Sequence, residues 1–204
     1  YFYESDPTLL TKRIEKITKY DRRKQNLLDE IKRVEESDEF NKEKIIENLE
    51  KKDTLGKVNF DSVIIFAFDE TLKSITTSLI YTDVTPKKIY FITLNQWFDE
   101  SLLSEDSSQN LYFPSINKKN FDEFKKEYFE KYSSEPNQIS LLGFDLVGLI
   151  FYLSRENNFQ LNGKVFDQKS TFKGKIGLFE IEDKRIKHVL NLYKVENNKF
   201  KKIF

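Results

Sequence analysis

The sequence predicts an α/β fold with a parallel sheet, and three observations carry this prediction. Residues 58–94 alternate between apolar, strand-like runs and a helical pattern, in the order strand, helix, strand. Residues 21–53 are densely charged, and their few apolar positions recur at helical spacing. Residues 172–204 have the pattern of successive strands. Because a strand–helix–strand unit joins parallel strands through a right-handed crossover, we expect a parallel sheet in the middle of the chain.

The chain opens with "YFYESDPTLLTKRIEKITKY", which predicts the end of a strand followed by a helix. Asp6 has the residue type of an N-cap, and Pro7 suits the first helical position. Leu10, Ile14 and Ile17 then recur at helical spacing, so this helix is expected to bury one face.

Residues 21–53 predict two amphipathic helices joined near residues 37–41. Their narrow apolar stripes favour either a solvated helical decoration or a dedicated surface for a partner protein, and both interpretations stay open. On the second interpretation, basic side chains that stay in water steer an acidic partner. These candidate residues are Arg22, Arg23, Lys24, Lys32 and Arg33.

The middle of the chain contains the strand–helix–strand unit. "KVNFDSVIIFAF" predicts a buried strand, "DETLKSITTSLIYTDV" a helix, and "KKIYFITL" the next strand. Asp69 follows the first strand, where open α/β sheets bind ligands, but it also has the residue type and position of a helix cap. The following "NQWFDESLLSEDSSQN" predicts a polar, mobile segment, and "LYFPSI" a strand after it.

The last third predicts two helices and then strands. "NFDEFKKEYFEKYSSEP" predicts a helix, and a second, more buried helix is expected over residues 139–153. Gly174 and Gly177 suit bends between strands, and residues 196–199 suit a hairpin turn. His188 lies in this tail, where a structural role as a surface or half-buried β residue is the simplest interpretation.

Several kinds of chemistry are excluded. "IIFAFDETLKS" is similar to the first motif of haloacid-dehalogenase-type phosphatases, but Ala67 stands where the nucleophilic carboxylate must be. The chain has no Cys and a single His, and it lacks metal-binding loop patterns, so neither a metal nor a cofactor is predicted. With 34 basic and 34 acidic residues, no general positive field attracts nucleic acid.

The sequence also sets expectations about location. No apolar run is expected to reach the length that spans a bilayer. The chain starts at Tyr1 and contains no Met, which is typical of a piece of a longer protein. Any leader or lipid anchor would lie in an upstream segment.

Three stretches together resemble the periplasmic binding protein type I fold, as in leucine-binding proteins. "FDEFKKEYFEKYSSEPNQISLLGFDLVGLIFYL" is similar to the two consecutive helices of that family, including Phe144, Asp145 and Leu146. "FKGKIGLFEIEDKRI" resembles its glycine-containing strand segment, and "LNLYKVENNKFKKI" its closing hairpin.

Within this superfamily the first part most resembles penicillin-binding-protein activator lipoproteins of the LpoA type. The resemblance rests on the "DPT" helix start, on a charged helical insertion with an Arg-x₃-Leu pattern from Arg23 to Leu27 or Leu28, on the strand at residues 60–63, and on the helix end at residues 81–86. The similarity covers essentially this whole chain but only about the C-terminal half of the family's domain. The resemblance therefore implies that residues 1–110 belong to a second lobe, with the insertion at 21–53. Residues 111–182 would return to the first lobe, and residues 183–204 would form a C-terminal hairpin of the second lobe.

The resemblance implies a non-enzymatic periplasmic activator or scaffold of a peptidoglycan synthase, that is, of a penicillin-binding protein. The alternative is a solute-binding receptor that serves an ABC transporter permease and binds an amino acid or similar small polar ligand. By position in the family, the cleft candidates are Phe68, Asp69, Asn95, Gln96 and Trp97. At the end of the second strand Asn95 and Gln96 occupy the place where the family has an acidic residue, which favours a cleft that has lost its ligand.

Overall fold

The computed structural model describes residues 6–160, 163–167 and 169–204. The predicted strand end before Asp6 lies outside the described residues. The helices are α1 (Pro7–Thr18), α2 (Tyr20–Glu35), α3 (Lys42–Glu50), α4 (Asp69–Tyr81), α5 (Lys118–Tyr132) and α6 (Gln138–Glu156). The strands are β1 (Ser62–Ile65), β2 (Tyr90–Thr93), β3 (Leu111–Ser115), β4 (Ser170–Lys173), β5 (Leu178–Glu182), β6 (Arg185–Val189), β7 (Asn191–Glu196) and β8 (Lys199–Lys202). Short 3-10 helices cover Glu100–Leu102, Asp106–Ser108 and Gly163–Phe166.

The predicted α/β class with a parallel sheet is confirmed. A five-stranded sheet has the order β1-β2-β3-β7-β8, in which β1 pairs in parallel with β2, and β2 in parallel with β3. A second, three-stranded sheet of order β4-β5-β6 is antiparallel. The predicted hairpin joins β7 to β8 through Asn197 and Asn198, both with left-handed backbone. Asn suits this conformation, and paired left-handed residues match the twist of a two-residue hairpin.

The described chain divides into two compact units. Among the described residues, the first unit consists of 6–94, 100–112 and 194–201, and the second of 95–99, 113–160, 163–167, 169–193 and 202–204. In the first unit α1 packs on α4, where Leu10 and Ile14 are buried and Thr11 Oγ1 lies 2.9 Å from Ser78 Oγ. In the second unit Leu149 and Leu153 of α6 form a core cluster with Ile181 of β5.

The predicted start of α1 is confirmed. Asp6 Oδ1 accepts hydrogen bonds from the backbone N–H groups of Thr8 (2.9 Å) and Leu9 (3.0 Å), and Pro7 occupies the first turn. The helical pattern then breaks at Lys19, whose φ of 52° is left-handed and separates α1 from α2. The two helices predicted for residues 21–53 are α2 and α3, joined by a loop at the predicted place.

The prediction of a buried strand over residues 57–68 is wrong in length and in burial. β1 has four residues, and only Ile65 among them is buried. Ile64 is 60% exposed and Phe66 68% exposed. Successive side chains of a strand point to opposite faces, and here Ile65 and Ala67 are buried while Ile64 and Phe66 are exposed, so the apolar run has one covered face and one open face.

The prediction that Asp69 caps α4 is also wrong. The N-cap position is Phe68, with extended backbone and no side-chain cap hydrogen bond, and Asp69 is the first helical residue with a left-handed φ of 50°. The chain turns sharply at Asp69, so its carboxylate does not reach the first free N–H groups of the helix. Asp69 and Glu70 still place negative charge in the first turn, which the helix dipole favours.

The segment after β2 is more ordered than predicted. Two 3-10 helices lie within residues 100–108, and Leu102, Ser107 and Ser108 are buried. Ser107 Oγ accepts hydrogen bonds from the hydroxyls of Thr76 (3.1 Å) and Thr77 (3.2 Å) on α4. The polar residues of this stretch therefore pair with α4 within the first unit, a contact that composition alone does not reveal.

Helix α6 buries more residues than α5, as predicted, but most of its apolar side chains are exposed. Its buried positions are Leu141, Asp145, Leu149 and Leu153. By length and composition α6 passes for a membrane-spanning helix, so the expectation that no run reaches that length is wrong. A packed globular helix passes the same test, and the buried hydrogen bonds of Asp145 are those of a packed helix.

Candidate functional site

The first group of candidate residues, Phe68 and Asp69, follows β1 in the first unit. Because β1 and β2 are parallel, their carboxyl ends lie at one edge of the sheet, the edge at which open α/β sheets bind ligands. Both side chains are exposed. The left-handed backbone of Asp69 is uncommon for a residue other than Gly, and such conformations concentrate at functional sites.

The second group, Asn95, Gln96 and Trp97, follows β2 and belongs to the second unit. Asn95 Oδ1 accepts hydrogen bonds from the Trp97 backbone N–H (3.0 Å) and from Ser115 Oγ (2.8 Å). Gln96 is buried. The acceptor oxygen of Asn95 is thus already hydrogen-bonded within the protein, and both Asn95 and Trp97 are half-buried.

Backbone strain marks the same loop. Trp97 and Phe98 are consecutive residues with left-handed φ values of 51° and 58°. The Phe98 ring holds the loop, since it packs edge-on against Tyr193 (centroids 4.9 Å apart) and contacts Phe113 and Phe121. Left-handed backbone at two adjacent residues other than Gly costs conformational energy, and the packing of Phe98 in the aromatic cluster offsets that cost. That these residues and the first group line one ligand site stays a prediction.

The structure corrects the interpretation of Arg23 in the helical insertion. Arg23 was expected to stay in water on a partner-binding face, but it is only 5% exposed. Its guanidinium donates hydrogen bonds to the Thr18 carbonyl (3.0 Å), to Thr54 Oγ1 (2.9 Å) and to the Thr82 carbonyl. Asp83 Oδ2 lies 4.0 Å away, and Thr54 Oγ1 donates to it at 2.6 Å. Burial lowers the pKa of Arg23, and Asp83 opposes this shift.

The other basic candidates of the insertion are exposed, but most of them lie beside partners. Arg33 forms a two-pronged ion pair with Glu30 (2.9 and 2.8 Å) and also lies 3.6 Å from Glu39. Lys32 lies 3.9 Å from Glu36. The hydrogen bond from Arg33 lowers the pKa of Glu30. Lys24 stands over the Tyr20 ring, and Arg22 is exposed. Lys32 and Arg33 therefore lie beside carboxylates of the same hairpin, whereas Arg22 and Lys24 remain exposed basic side chains.

Sequence reasoning missed Phe40, at the tip of this hairpin. Phe40 is 100% exposed, in the loop between α2 and α3. The only signal was a lone aromatic residue in an acidic stretch, "EESDEFNKEK".

Asp145 and His188 have structural positions in the second unit. The Asp145 carboxylate, buried on α6, accepts hydrogen bonds from the backbone N–H groups of Lys175 (2.7 Å) and Ile176 (3.0 Å). His188 stacks on Phe179 of the neighbouring strand, with centroids 4.3 Å apart. Burial lowers the pKa of His188, and Asp145 opposes this shift.

Two open grooves have apolar linings. One lies between α5 and α6 in the second unit, with a volume of about 770 Å³, and includes Tyr128, Tyr132, Phe144 and Phe151. The other lies between α1, α4 and β1 in the first unit, with a volume of about 390 Å³. Among residues 6–160, 163–167 and 169–204, no three His, Asp or Glu side chains come together as a metal site would require.

No family model matches the sequence, and no curated protein matches it either. Solved structures do match. The match to a putative branched-chain amino acid ABC transporter protein from Rhodospirillum rubrum covers 79% of this chain and 48% of the Rhodospirillum chain, at 12% sequence identity and a TM-score of 0.55. The match to the leucine-binding protein LivK from Thermotoga maritima covers 82% of this chain and 48% of the LivK chain, at 15% sequence identity and a TM-score of 0.50.

A third match is Haemophilus influenzae LpoA, with 78% of this chain and 32% of that one, 9% identity and a TM-score of 0.41. This chain spans less than half the length of each of the three structures. At these identities the likeness concerns the fold and not the ligand. The chain has the fold of the type I periplasmic binding proteins, the fold that its sequence resembles.

Proposed function

We propose that this chain belongs to a non-enzymatic periplasmic protein that activates or scaffolds a peptidoglycan synthase, and that the α2–α3 hairpin is the element that binds this partner. The observation that carries the proposal is the construction of the hairpin. Leu27 and Val34 of α2 and Leu49 of α3 form a buried cluster of their own, with Ile31, Ile45, Ile46 and Leu55 packed around it. A loop that only connects α1 to β1 needs no such core.

The attachment of the hairpin supports the same proposal. Arg23 lies at the base of α2 and bonds to three separate segments of the first unit, and the Leu55 backbone N–H donates to the Arg23 carbonyl at 2.9 Å. If residues 21–53 served only to connect α1 to β1, a flexible loop would do so at little extra entropic cost, because the entropy lost on closing a loop grows only slowly with its length. Hydrogen bonds that fix the base of α2 in place are therefore not needed for connection alone. An anchored hairpin with its own core holds its outer surface in one orientation, which lowers the entropic cost of binding a protein.

The lobe assignment remains part of the proposal. Residues 1–110 would form most of a second lobe, 111–182 a return to the first, and 183–204 the final hairpin. A periplasmic location fits binding proteins of this fold, and a lipid anchor would have to lie outside this chain.

The test removes the outer half of the hairpin and keeps its base. In the full-length protein, residues 30–47 are replaced by a short Gly/Asn turn, which retains Arg23, Leu27 and Leu49. Binding to the purified penicillin-binding proteins of the same organism is then measured by biolayer interferometry, with circular dichroism as the folding control. We expect the circular dichroism spectrum to lose only the helical signal of the removed residues while cooperative unfolding of the remainder is retained, and the complex to be at least tenfold weaker. Unchanged binding by a folded variant would show that the hairpin is a solvated decoration.

The second candidate function is a solute receptor for an ABC transporter permease. The left-handed backbone at Trp97 and Phe98 favours it, because strained aromatic loops are typical of ligand sites. On this reading Trp97 packs against an amino-acid-like ligand and Asp69 pairs with its ammonium group. Isothermal titration of the full-length protein with an amino-acid panel is the test. Trp97→Ala should weaken any ligand found by about 2 kcal/mol, the scale of a buried aromatic anchor. A panel without a single binder counts against the receptor.

A further inference from the structure

The tip of the α2–α3 hairpin combines a fully exposed aromatic side chain with an ordered backbone. Phe40 is 100% exposed, although apolar neighbours in the chain, Ile45 and Ile46, pack into the hairpin core. Burying a phenylalanine side chain would stabilise the fold by about 2 kcal/mol, and an exposed ring does not make this contribution. Phe40 therefore adds nothing to the stability of the hairpin.

The loop that carries Phe40 is held by its own hydrogen bonds. Ser37 Oγ donates to the Val34 carbonyl at 2.8 Å and closes the end of α2. The Lys42 N–H donates to the Glu39 carbonyl at 3.2 Å, and the Ile45 N–H to the Asn41 carbonyl at 3.1 Å, which starts α3. Phe40 is therefore presented by a fixed turn. A preordered anchor side chain loses little entropy when it binds.

The charge around Phe40 is negative. Residues 35–44 contain Glu35, Glu36, Asp38, Glu39 and Glu43 against Lys42 and Lys44, and all seven side chains are exposed. Glu36 lies 3.9 Å from Lys32 and Glu39 lies 3.6 Å from Arg33, so the acidic character of the tip rests on Glu35, Asp38 and Glu43. The α2 helix rises about 1.5 Å per residue, so this tip stands about 18 Å along the helix axis from Arg23 at its base. The tip therefore presents an apolar knob inside an acidic rim, away from the attachment point.

We propose that Phe40 and its acidic rim dock into an apolar pocket bordered by Lys and Arg side chains on a partner protein. The inference rests on the proposed function and places the contact at the tip instead of on the basic face that the sequence suggested, since Arg23 is buried and Lys32 and Arg33 lie beside carboxylates. The aromatic ring supplies the anchor, and the carboxylates speed encounter with a basic rim. A membrane is the poorer partner, because anionic lipid headgroups repel these carboxylates.

The first experiment measures binding of full-length variants to the purified penicillin-binding proteins. Phe40→Ser should weaken the complex at least tenfold, whereas Leu28→Ser, an exposed apolar residue on α2, should leave it unchanged. The pair Glu35→Gln and Asp38→Asn should slow association and flatten its dependence on salt. Loss of binding on removal of residues 30–47 but not in Phe40→Ser would overturn this inference and leave the proposed function standing. Retained binding after that removal would defeat both.

The second experiment identifies the partner when none of those synthases binds. The photoreactive amino acid p-benzoylphenylalanine replaces Phe40 in the full-length protein in living cells, with the same replacement at Leu28 as the control. The inference expects one protein adduct specific to position 40, which when purified binds the wild type and loses affinity for Phe40→Ser. A lipid adduct, or flotation of the wild type but not of Phe40→Ser with phosphatidylglycerol vesicles, would assign the tip to a membrane. Absence of any adduct specific to position 40 would overturn the inference.

Discussion

At the scale of single residues, the fold depends on a few buried polar groups that bond across long stretches of sequence. The guanidinium of Arg23 connects the end of α1, the segment after α3 and the turn after α4. The arrangement offsets the cost of burying a charge, because the planar group donates to three oxygen acceptors and has Asp83 nearby. Removing one such partner leaves buried acceptors without donors.

Replacing Arg23 should therefore destabilise the first unit. We expect Arg23→Ala to lower the free energy of unfolding by about 3 kcal/mol, since it leaves the Thr18 and Thr82 carbonyls unpaired. Arg23→Lys should recover part of that loss, because an ammonium cannot reach all three acceptors. Urea denaturation measures the effect. The exposed neighbour Arg22→Ala is the control and should change stability by less than about 0.5 kcal/mol. Equal effects at the two positions would contradict the buried network.

His188 should make stability depend on pH. Its pKa is lowered mainly by burial, with Asp145 opposing, and its Nε2 is buried with no hydrogen-bond partner among the described residues. The unfolded chain then binds a proton more readily than the folded chain. The stabilising effect of the neutral ring is thus complete above the unfolded pKa, about 6.5, and is lost as pH falls toward the folded value. The urea midpoint should drop between pH 8 and pH 5, and His188→Gln should reduce that drop. An identical drop in the variant would assign it to other groups.

At the scale of elements, α6 and the β4–β5 turn are fastened by one carboxylate. Asp145 accepts the N–H groups of Lys175 and Ile176, and the Gly174 N–H donates to the Gly177 carbonyl at 2.8 Å to close the turn. A Cβ atom on Gly174 would overlap the Asp145 carboxylate. The glycine is thus required by close approach and not by backbone conformation.

Substitutions in this contact should be coupled. We expect Gly174→Ala and Asp145→Ala each to lower the free energy of unfolding by about 2 kcal/mol, through overlap in the first case and unpaired N–H groups in the second. The double variant should lose less than the sum, because removing the carboxylate makes room for the methyl group. Gly143→Ala is the control. It faces open space on α6 and should stabilise the helix by about 0.5–1 kcal/mol. Strict additivity in denaturation experiments would refute the contact.

At the scale of the whole molecule, several large apolar side chains are exposed close to one another. Val147 is 68% exposed and Phe151 61% exposed on α6, beside the groove shared with α5. Ile64 and Phe66 are exposed near the end of β1. Contiguous apolar patches of this kind mark surfaces that other polypeptide covers.

The 204-residue chain by itself should therefore associate as its concentration rises. We expect light scattering to show growing particle mass with concentration, together with binding of the dye ANS. The pair Val147→Lys and Phe151→Glu should reduce both signals while leaving the circular dichroism spectrum unchanged, because both side chains point into solvent. The control exchanges two exposed charged residues of α5, Lys126→Glu and Glu130→Lys, and like the test pair it leaves the net charge of the chain unchanged. A monodisperse monomer without dye binding would contradict the prediction.

The sequence by itself determined the features that arise from local chemistry. Asp6 and Pro7 specify the start of α1, apolar periodicity specifies α2 and α3, and the strand–helix–strand order specifies a parallel sheet. Only the tertiary structure decided which polar side chains form hydrogen bonds inside the protein and which face solvent. Arg23 bonds to a carbonyl 59 residues away, Asn95 to a serine 20 residues away, and Asp145 to a turn 31 residues away. No spacing in the chain encodes those partners, since burial of a charge or amide depends on which segments the fold brings beside it. For the same reason Arg23 became a buried anchor, and Lys32 and Arg33 formed ion pairs, at positions where the sequence predicted side chains that stay in water.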